Sequence, residues 1–175
     1  MAALHTGEIS LLLAVAAALT AVIGVLFPRL GPPGIVALEL ARSPRRAQQI
    51  VGRWQEAAEL GRARRSVYLD FAFIVSYVAG LAFLILLAAR AAEESGLMSG
   101  ERADTFAWVG SLAMIGAGAL DTVENLGLLL LIRGRISRGW TLLTSACALV
   151  KFVLLIAGAL AALAVLTASL IKWLA

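Results

Sequence analysis

Four long apolar stretches alternate with short polar connections along the chain, and that alternation carries most of what can be read from it. The first stretch runs from about Ile9 to Phe27 and stops at Pro28. The second runs from about Ser66 to Ala89, the third from about Thr105 to Ile132, and the fourth from about Thr141 to Leu166. Each is as long as the ~18–20 apolar residues a helix needs to cross the hydrocarbon of a bilayer. Lipid offers no partners to an open strand edge, so the spans are predicted to be helices. The expected fold is all-α: a single membrane domain over residues 1–175, a four-transmembrane-helix bundle. The first stretch lies where a signal peptide would. No Lys or Arg precedes it and eight arginines follow before the next span, so it reads as a retained helix.

The connection between spans one and two is patterned too. Pro32, Pro33 and Gly34 make a turn, and Ser43 before Pro44 reads as a helix N-cap with proline at the first helical position. Ala47, Ile50, Val51, Trp54 and Ala58 then recur at helical spacing, with Arg45, Arg46, Gln49, Arg53 and Glu56 largely on other faces. This predicts an amphipathic helix over about 44–60. Two surfaces could receive its apolar face: the membrane interface, with Trp54 at headgroup level, or the bundle's own end.

Arginine placement orients the chain. The first connection holds Arg29, Arg42, Arg45, Arg46, Arg53, Arg62, Arg64 and Arg65, and the third holds Arg133, Arg135 and Arg138. The second is acidic on balance, with Glu93, Glu94, Glu101 and Asp104 against Arg90 and Arg102. Positive residues stay inside, so the first and third connections are expected to be cytoplasmic and both termini external. The setting that follows is the inner (plasma) membrane of a bacterium. Arg45, Arg46, Arg53, Arg64 and Arg65 are the expected contacts to anionic lipid headgroups.

Composition agrees. Of 175 residues, 61% are hydrophobic and 15% charged, against ~45–50% and ~25% in soluble domains. Mean hydropathy is +0.92 and the isoelectric point near 10.0. In a membrane chain that basic surplus follows from charge topology, so no nucleic-acid partner is expected. A single cysteine, Cys147, excludes an intramolecular disulfide and any Cys-based zinc site, and the single histidine, His5, excludes a multi-His centre. There is no Gly-rich phosphate loop, HExxH, G-x-S-x-G or Ser/His/Asp set. No cofactor and no metal are expected; an Mg²⁺-type site with Asp121, Glu124, Asn125 and Asp70 as oxygen ligands stays open, with Lys151 at the same depth counting against it.

The polar residues inside the spans are the unusual feature, since a charge at mid-bilayer costs about 2.5–3.5 kcal/mol even on the lenient insertion scale. Span three holds Asp121, Glu124 and Asn125, span four holds Thr144 and Lys151, and span two holds Asp70, Ser76 and Tyr77. With arginine-side ends near Ser66, Ile132 and Thr141, a 1.5 Å rise puts Asp121, Lys151 and Tyr77 about 15–17 Å deep. Glu124 comes out near ~12 Å and Asp70 near ~6 Å. Asp121, Glu124 and Asn125 share a helical face, as do Asp70 with Tyr77 and Thr144 with Lys151. Three acids against one lysine cannot be neutralised by pairing. A carboxyl holds a proton, a cation binds, or an arginine such as Arg64 or Arg65 folds over the mouth.

The residues Glu39-Leu40-Ala41, Trp54, Tyr68-Leu69-Asp70-Phe71 with Tyr77, the D-x-x-E-N run from Asp121 to Asn125, and Lys151 resemble a group of uncharacterised bacterial four-span membrane proteins. The resemblance covers about Glu39 to Lys151. It implies the topology and no activity, and it adds Glu39 to the candidates; Trp54, and Thr144 on the face of Lys151, stand beside it as secondary ones. Small multidrug-resistance transporters share size and span count, but their membrane carboxylate lies in the first helix, whose core here is uncharged.

Three functions compete. The first is binding or transport of a proton, a cation or a small amine-bearing solute by Asp121, Glu124, Asn125, Lys151, Asp70 and Tyr77. The second is a lipid-active enzyme at the inner leaflet, using the same acids with Lys151 for acid–base work. The third is a structural or partner subunit whose polar cluster locks helix packing. Self-association of the chain is left open by all three.

Overall fold

A computed structural model describes residues 5–175 and is helical, with no strand among them. The helices are α1 (Thr6–Leu26), α2 (Ile35–Glu39), α3 (Pro44–Glu56), α4 (Leu60–Glu94), α5 (Gly100–Ile132) and α6 (Arg138–Leu174). Four of them, α1, α4, α5 and α6, are long and apolar enough to cross a membrane.

The three later spans outrun the apolar stretches that announced them. Helix α4 begins six residues before Ser66, and α6 continues eight beyond Leu166. Hydropathy marks where a helix meets lipid, whereas a helix ends where its hydrogen bonding is interrupted. The interruptions here are Gly96 (φ 67°) after α4 and Gly134 (φ 83°) after α5. Glycine enters that left-handed region without the Cβ penalty. The turn after α5 closes with the Gly134 and Arg135 N–H groups donating to the Leu131 and Leu130 carbonyls.

Helix α3 starts as its sequence predicts. Ser43 is extended, its hydroxyl accepts the Arg46 N–H at 3.3 Å, and Pro44 opens the helix. It stops at Glu56 rather than near 60, because Ala58 turns left-handed (φ 57°) and the Glu59 N–H closes back on the Trp54 carbonyl. The short α2 was hidden in what reads as a plain apolar run.

The chain divides into two compact units. Unit one comprises Met1–Thr20, Ser76–Ala117 and Val153–Ala175. Its core is built on Ile85, Ala88, Met114 and Ala162. Helix α4 meets α1 at Gly80, where a Cβ would sit in ordinary contact, 3.6 Å from that of Ala16. Thr6 donates to Glu94, and Lys172 donates to the Gly96 carbonyl.

Unit two comprises Ala21–Val75 and Gly118–Phe152. Its core gathers Leu38, Ala47, Ile50, Trp54, Val67, Leu128 and Leu131. Of the two surfaces open to α3, the protein's own core takes the apolar face: Ala47 and Ile50 are completely buried. Trp54 is buried as well, 1% exposed, and its indole N–H donates to the Pro33 carbonyl at 2.8 Å. Of the two places left open for it, this is the one inside the protein. An indole that finds a backbone acceptor inside the protein has its polar end satisfied without the interface. All eleven arginines of the first and third connections belong to unit two and are exposed.

Candidate functional site

The site is a buried polar cluster inside unit two. Helix α5 supplies Asp121, Glu124 and Asn125 on one face, the i, i+3, i+4 arrangement expected from the sequence. Helix α6 supplies Lys151, Thr144 and Ser145, α4 supplies Asp70 and Ser66, and α2 supplies Glu39. All except Asp70 are buried, and Asp70 is partly so.

Close approach of α5 and α6 is set by Gly127. A Cβ at that position would run into the Thr144 hydroxyl, so only glycine admits this spacing beside Thr144. Thr144 itself donates to the Trp140 carbonyl at 2.8 Å, one turn back on α6. It positions helices rather than presenting a free hydroxyl.

Lys151 is the hub. Its Nζ lies 2.5 Å from Asp121 Oδ1 and 2.8 Å from Glu124 Oε2, and 5.2 Å from the centroid of the Phe152 ring. The three ionic side chains are no more than 7% exposed. Glu124 is the most buried and the least satisfied. Its Oε2 meets the ammonium as an ion pair outside hydrogen-bond alignment, and its Oε1 has no hydrogen-bond partner among the described residues. A buried carboxylate oxygen left this way forfeits the hydration that would stabilise its charge.

Beside this triad lies a cavity of about 30 Å³, lined by Phe27, Ile35, Glu39, Ser66, Val67, Asp70 and Asn125. Asn125 Nδ2 donates to Asp70 Oδ2 at 2.8 Å. Glu39 is held over it from the backbone: Ser145 donates to the Glu39 carbonyl at 2.7 Å and accepts the Arg42 N–H at 3.1 Å. The Glu39 side chain is 8% exposed. Burial pushes its carboxyl up to about 7, the negative charges of Asp70 and Asp121 add to the rise, and Lys151 opposes it.

Sequence reasoning named most of this cluster. Asp121, Glu124, Asn125, Lys151 and Asp70 come together, and Glu39 joins them. Tyr77 belongs to unit one, where it is half-buried on α4. Arg45, Arg46 and Arg53 on α3 and Arg64 and Arg65 on α4 are exposed, so neither Arg64 nor Arg65 is buried over the cluster. Ser145 and Ser66 were missed; their only signal was a small hydroxyl within a turn or two of Thr144 and Asp70.

With Glu39 counted, four carboxylates share the cluster with one ammonium. No group of three or more His, Cys, Asp or Glu side chains among the described residues is arranged to hold a metal ion. Comparison of the chain with protein-family models, with curated proteins and with solved structures finds no match.

Proposed function

We propose that the chain is a multi-pass protein of a bacterial plasma membrane that binds protons at its buried carboxylate–lysine cluster and passes them on in exchange for a small cation. The observation that carries this reading is the charge balance: Glu39, Asp70, Asp121 and Glu124 face a single cation, Lys151, in a buried site. Pairing cannot neutralise four acids with one ammonium, so protons or a bound cation must make up the difference. Ionisable groups inside membrane proteins are rare and mark ion or proton paths. Lys151, hydrogen-bonded to Asp121 and ion-paired with Glu124, can shift between them as either carboxyl takes a proton.

The small cavity favours a proton or a bare monovalent ion over an amine-bearing solute or a lipid headgroup, because about 30 Å³ holds one water-sized occupant. The orientation follows from the arginines, which face the cytoplasm and the anionic headgroups there, with α3 lying along that surface.

A second reading, a helix-packing lock, draws on the seat of Gly127 against Thr144 and on the short Lys151–Asp121 bond. Against it, interhelical hydrogen bonds in membranes average only ~0.6 kcal/mol, a small return for this many buried charges. Proteoliposomes with an internal pH-sensitive dye and an imposed membrane potential separate the two. The parent chain is expected to carry proton flux several-fold above empty vesicles, and Glu124→Gln to fall to background. Flux no greater than that of empty vesicles would refute the transport reading.

A further inference from the structure

We infer that the groove between α5 and α6 at the acidic end of unit one is a binding site for one zwitterionic, amine-bearing phospholipid. Arg102 takes its phosphate, Glu101 its ammonium, and the gap between the helices one acyl chain. The site is separate from the carboxylate–lysine cluster and does not depend on the proton reading.

The groove has the length and polarity of that molecule. Its volume is about 1210 Å³, above the ~300–1,000 Å³ of a small-molecule pocket. The mouth is polar, at Glu101 and Arg102, and the walls below are apolar, with Phe106, Val109 and Ala161. Val109 and Ala161 are exposed, so an acyl chain enters sideways from the bilayer. The deep end is closed where the two helices meet. Met114 is completely buried there, and its methyl lies where a Cβ on Gly158 would be. On the other side α5 is held against α4 at Gly110, where a Cβ would collide with Ile85. Helix α5 is thus seated on both neighbours, and the groove is not the slack of a loosely packed helix. From Arg102 to Met114, α5 rises about 18 Å, and from Lys172 to Gly158, α6 spans about 21 Å. Lys172 marks the same end of the unit, since it donates to the Gly96 carbonyl. One leaflet with its headgroups is about 20–22 Å thick. A cleft that is polar at the surface, apolar below and one leaflet deep matches a lipid lying along the protein.

Charge selects the headgroup. The connection between α4 and α5 is the acidic one, and the positive-inside bias gives no reason for an arginine there. Arg90 is ion-paired with Glu93 at 3.1 Å, whereas Arg102 is exposed and has no ion-pair partner among the described residues. A guanidinium suits a phosphate, which it binds through two parallel N–H groups. Glu101, beside it and equally unpaired, suits an ammonium. Glu93, Glu94 and Asp104 make this connection negative on balance, which opposes a headgroup with net negative charge. A zwitterion serves both Arg102 and Glu101 and adds no net charge.

The test uses the full chain in detergent. Thermal midpoints and native mass spectra are read after adding phosphatidylethanolamine, phosphatidylglycerol or diacylglycerol, all with the same acyl chains. Phosphatidylethanolamine at ten times its dissociation constant should raise the midpoint by roughly 3–6 °C, with one copy bound. The other two lipids should bind several-fold more weakly. Arg102→Gln should fold, keep its lipid-free midpoint, and lose the preference over diacylglycerol. Glu101→Gln should keep that preference and lose the one over phosphatidylglycerol. Ala161→Trp fills an exposed wall of the groove and should abolish the bound lipid; Val109→Trp, on the facing wall, repeats the test should that variant not fold. Equal binding of the three lipids, or preferences that survive both Arg102→Gln and Glu101→Gln, would overturn the inference and leave only unspecific boundary lipid. A dimer in detergent that Ala161→Trp splits would also overturn it, because the groove would then belong to a second copy of the chain.

Discussion

Deleting the ammonium of Lys151 exposes the energetics of the whole cluster. Lys151 sits 2.5 Å from Asp121 and 2.8 Å from Glu124, with the three side chains 7%, 4% and 0% exposed. Lys151→Met keeps the length of the chain and its apolar stem but leaves two buried carboxylates without their counter-charge. Breaking a buried ion pair from one side costs about 3–5 kcal/mol, mostly the penalty of the stranded charge. For a chain of this size that is a fall of roughly 6–20 °C in Tm. The triple variant Lys151→Met with Asp121→Asn and Glu124→Gln removes the charges from both sides. Replacing a whole buried ionic set is often neutral or stabilising, so the triple should recover most of the loss and finish within a few degrees of the parent. Thermal unfolding in one detergent at pH 8 reads both numbers. A Lys151→Met midpoint within a degree or two of the parent would refute the argument, because it would mean that the ammonium compensates no buried charge.

Three further expectations follow from individual contacts. Glu39 has its carboxyl raised from 4.5 to about 7 by burial. The native state therefore binds more proton than the unfolded state between those values, and stability falls as pH rises across that window. The loss is at most about 3 kcal/mol, and the difference between parent and Glu39→Gln should trace it, with Asp70, Asp121, Glu124 and Lys151 common to both curves. A flat difference curve between pH 4.5 and 7 would contradict the placement of that carboxyl. Gly127→Ala should destabilise by about 1–3 kcal/mol through overpacking on the Thr144 hydroxyl; adding Thr144→Ala, which removes the colliding oxygen, should restore most of it, and equal losses in single and double variants would show that the helices are not that close. Ser43→Ala should lower Tm by roughly 2–4 °C for the ~1 kcal/mol of a lost N-cap on α3, and no change would mean that the cap is not formed.

The spans were legible because twenty-odd apolar residues have one stable form in lipid, and the face shared by Asp121, Glu124 and Asn125 was legible because helical spacing is fixed. What was harder to see came from tertiary structure. Residues Ile35–Glu39 carry no cap and no period long enough to read, so α2 emerges only once Leu38 finds the core around Trp54 and Val67. The depth of Glu39 depends on Ser145, more than a hundred residues away, gripping its carbonyl. Trp54 shows a choice that spacing leaves open: an aromatic on an amphipathic helix beside arginines suits an interface or a core, and here the Pro33 carbonyl satisfies the indole from within. Helix ends were misjudged where polar residues continue a helix past the lipid boundary, as Arg62, Arg64 and Arg65 do at the start of α4.

The central claim is that the carboxylates of the cluster are kept for proton and cation traffic rather than to hold the helices together, and Glu124 is where that claim is most exposed. It is completely buried, with one oxygen on Lys151 and the other without a hydrogen-bond partner among the described residues. In Glu124→Gln, Lys151 keeps Asp121. A charge retained against stability can be removed without harm. The midpoint of purified Glu124→Gln at pH 8 should therefore equal or exceed that of the parent. A fall of several degrees, equivalent to ~1 kcal/mol or more, would contradict the account and make the cluster a lock.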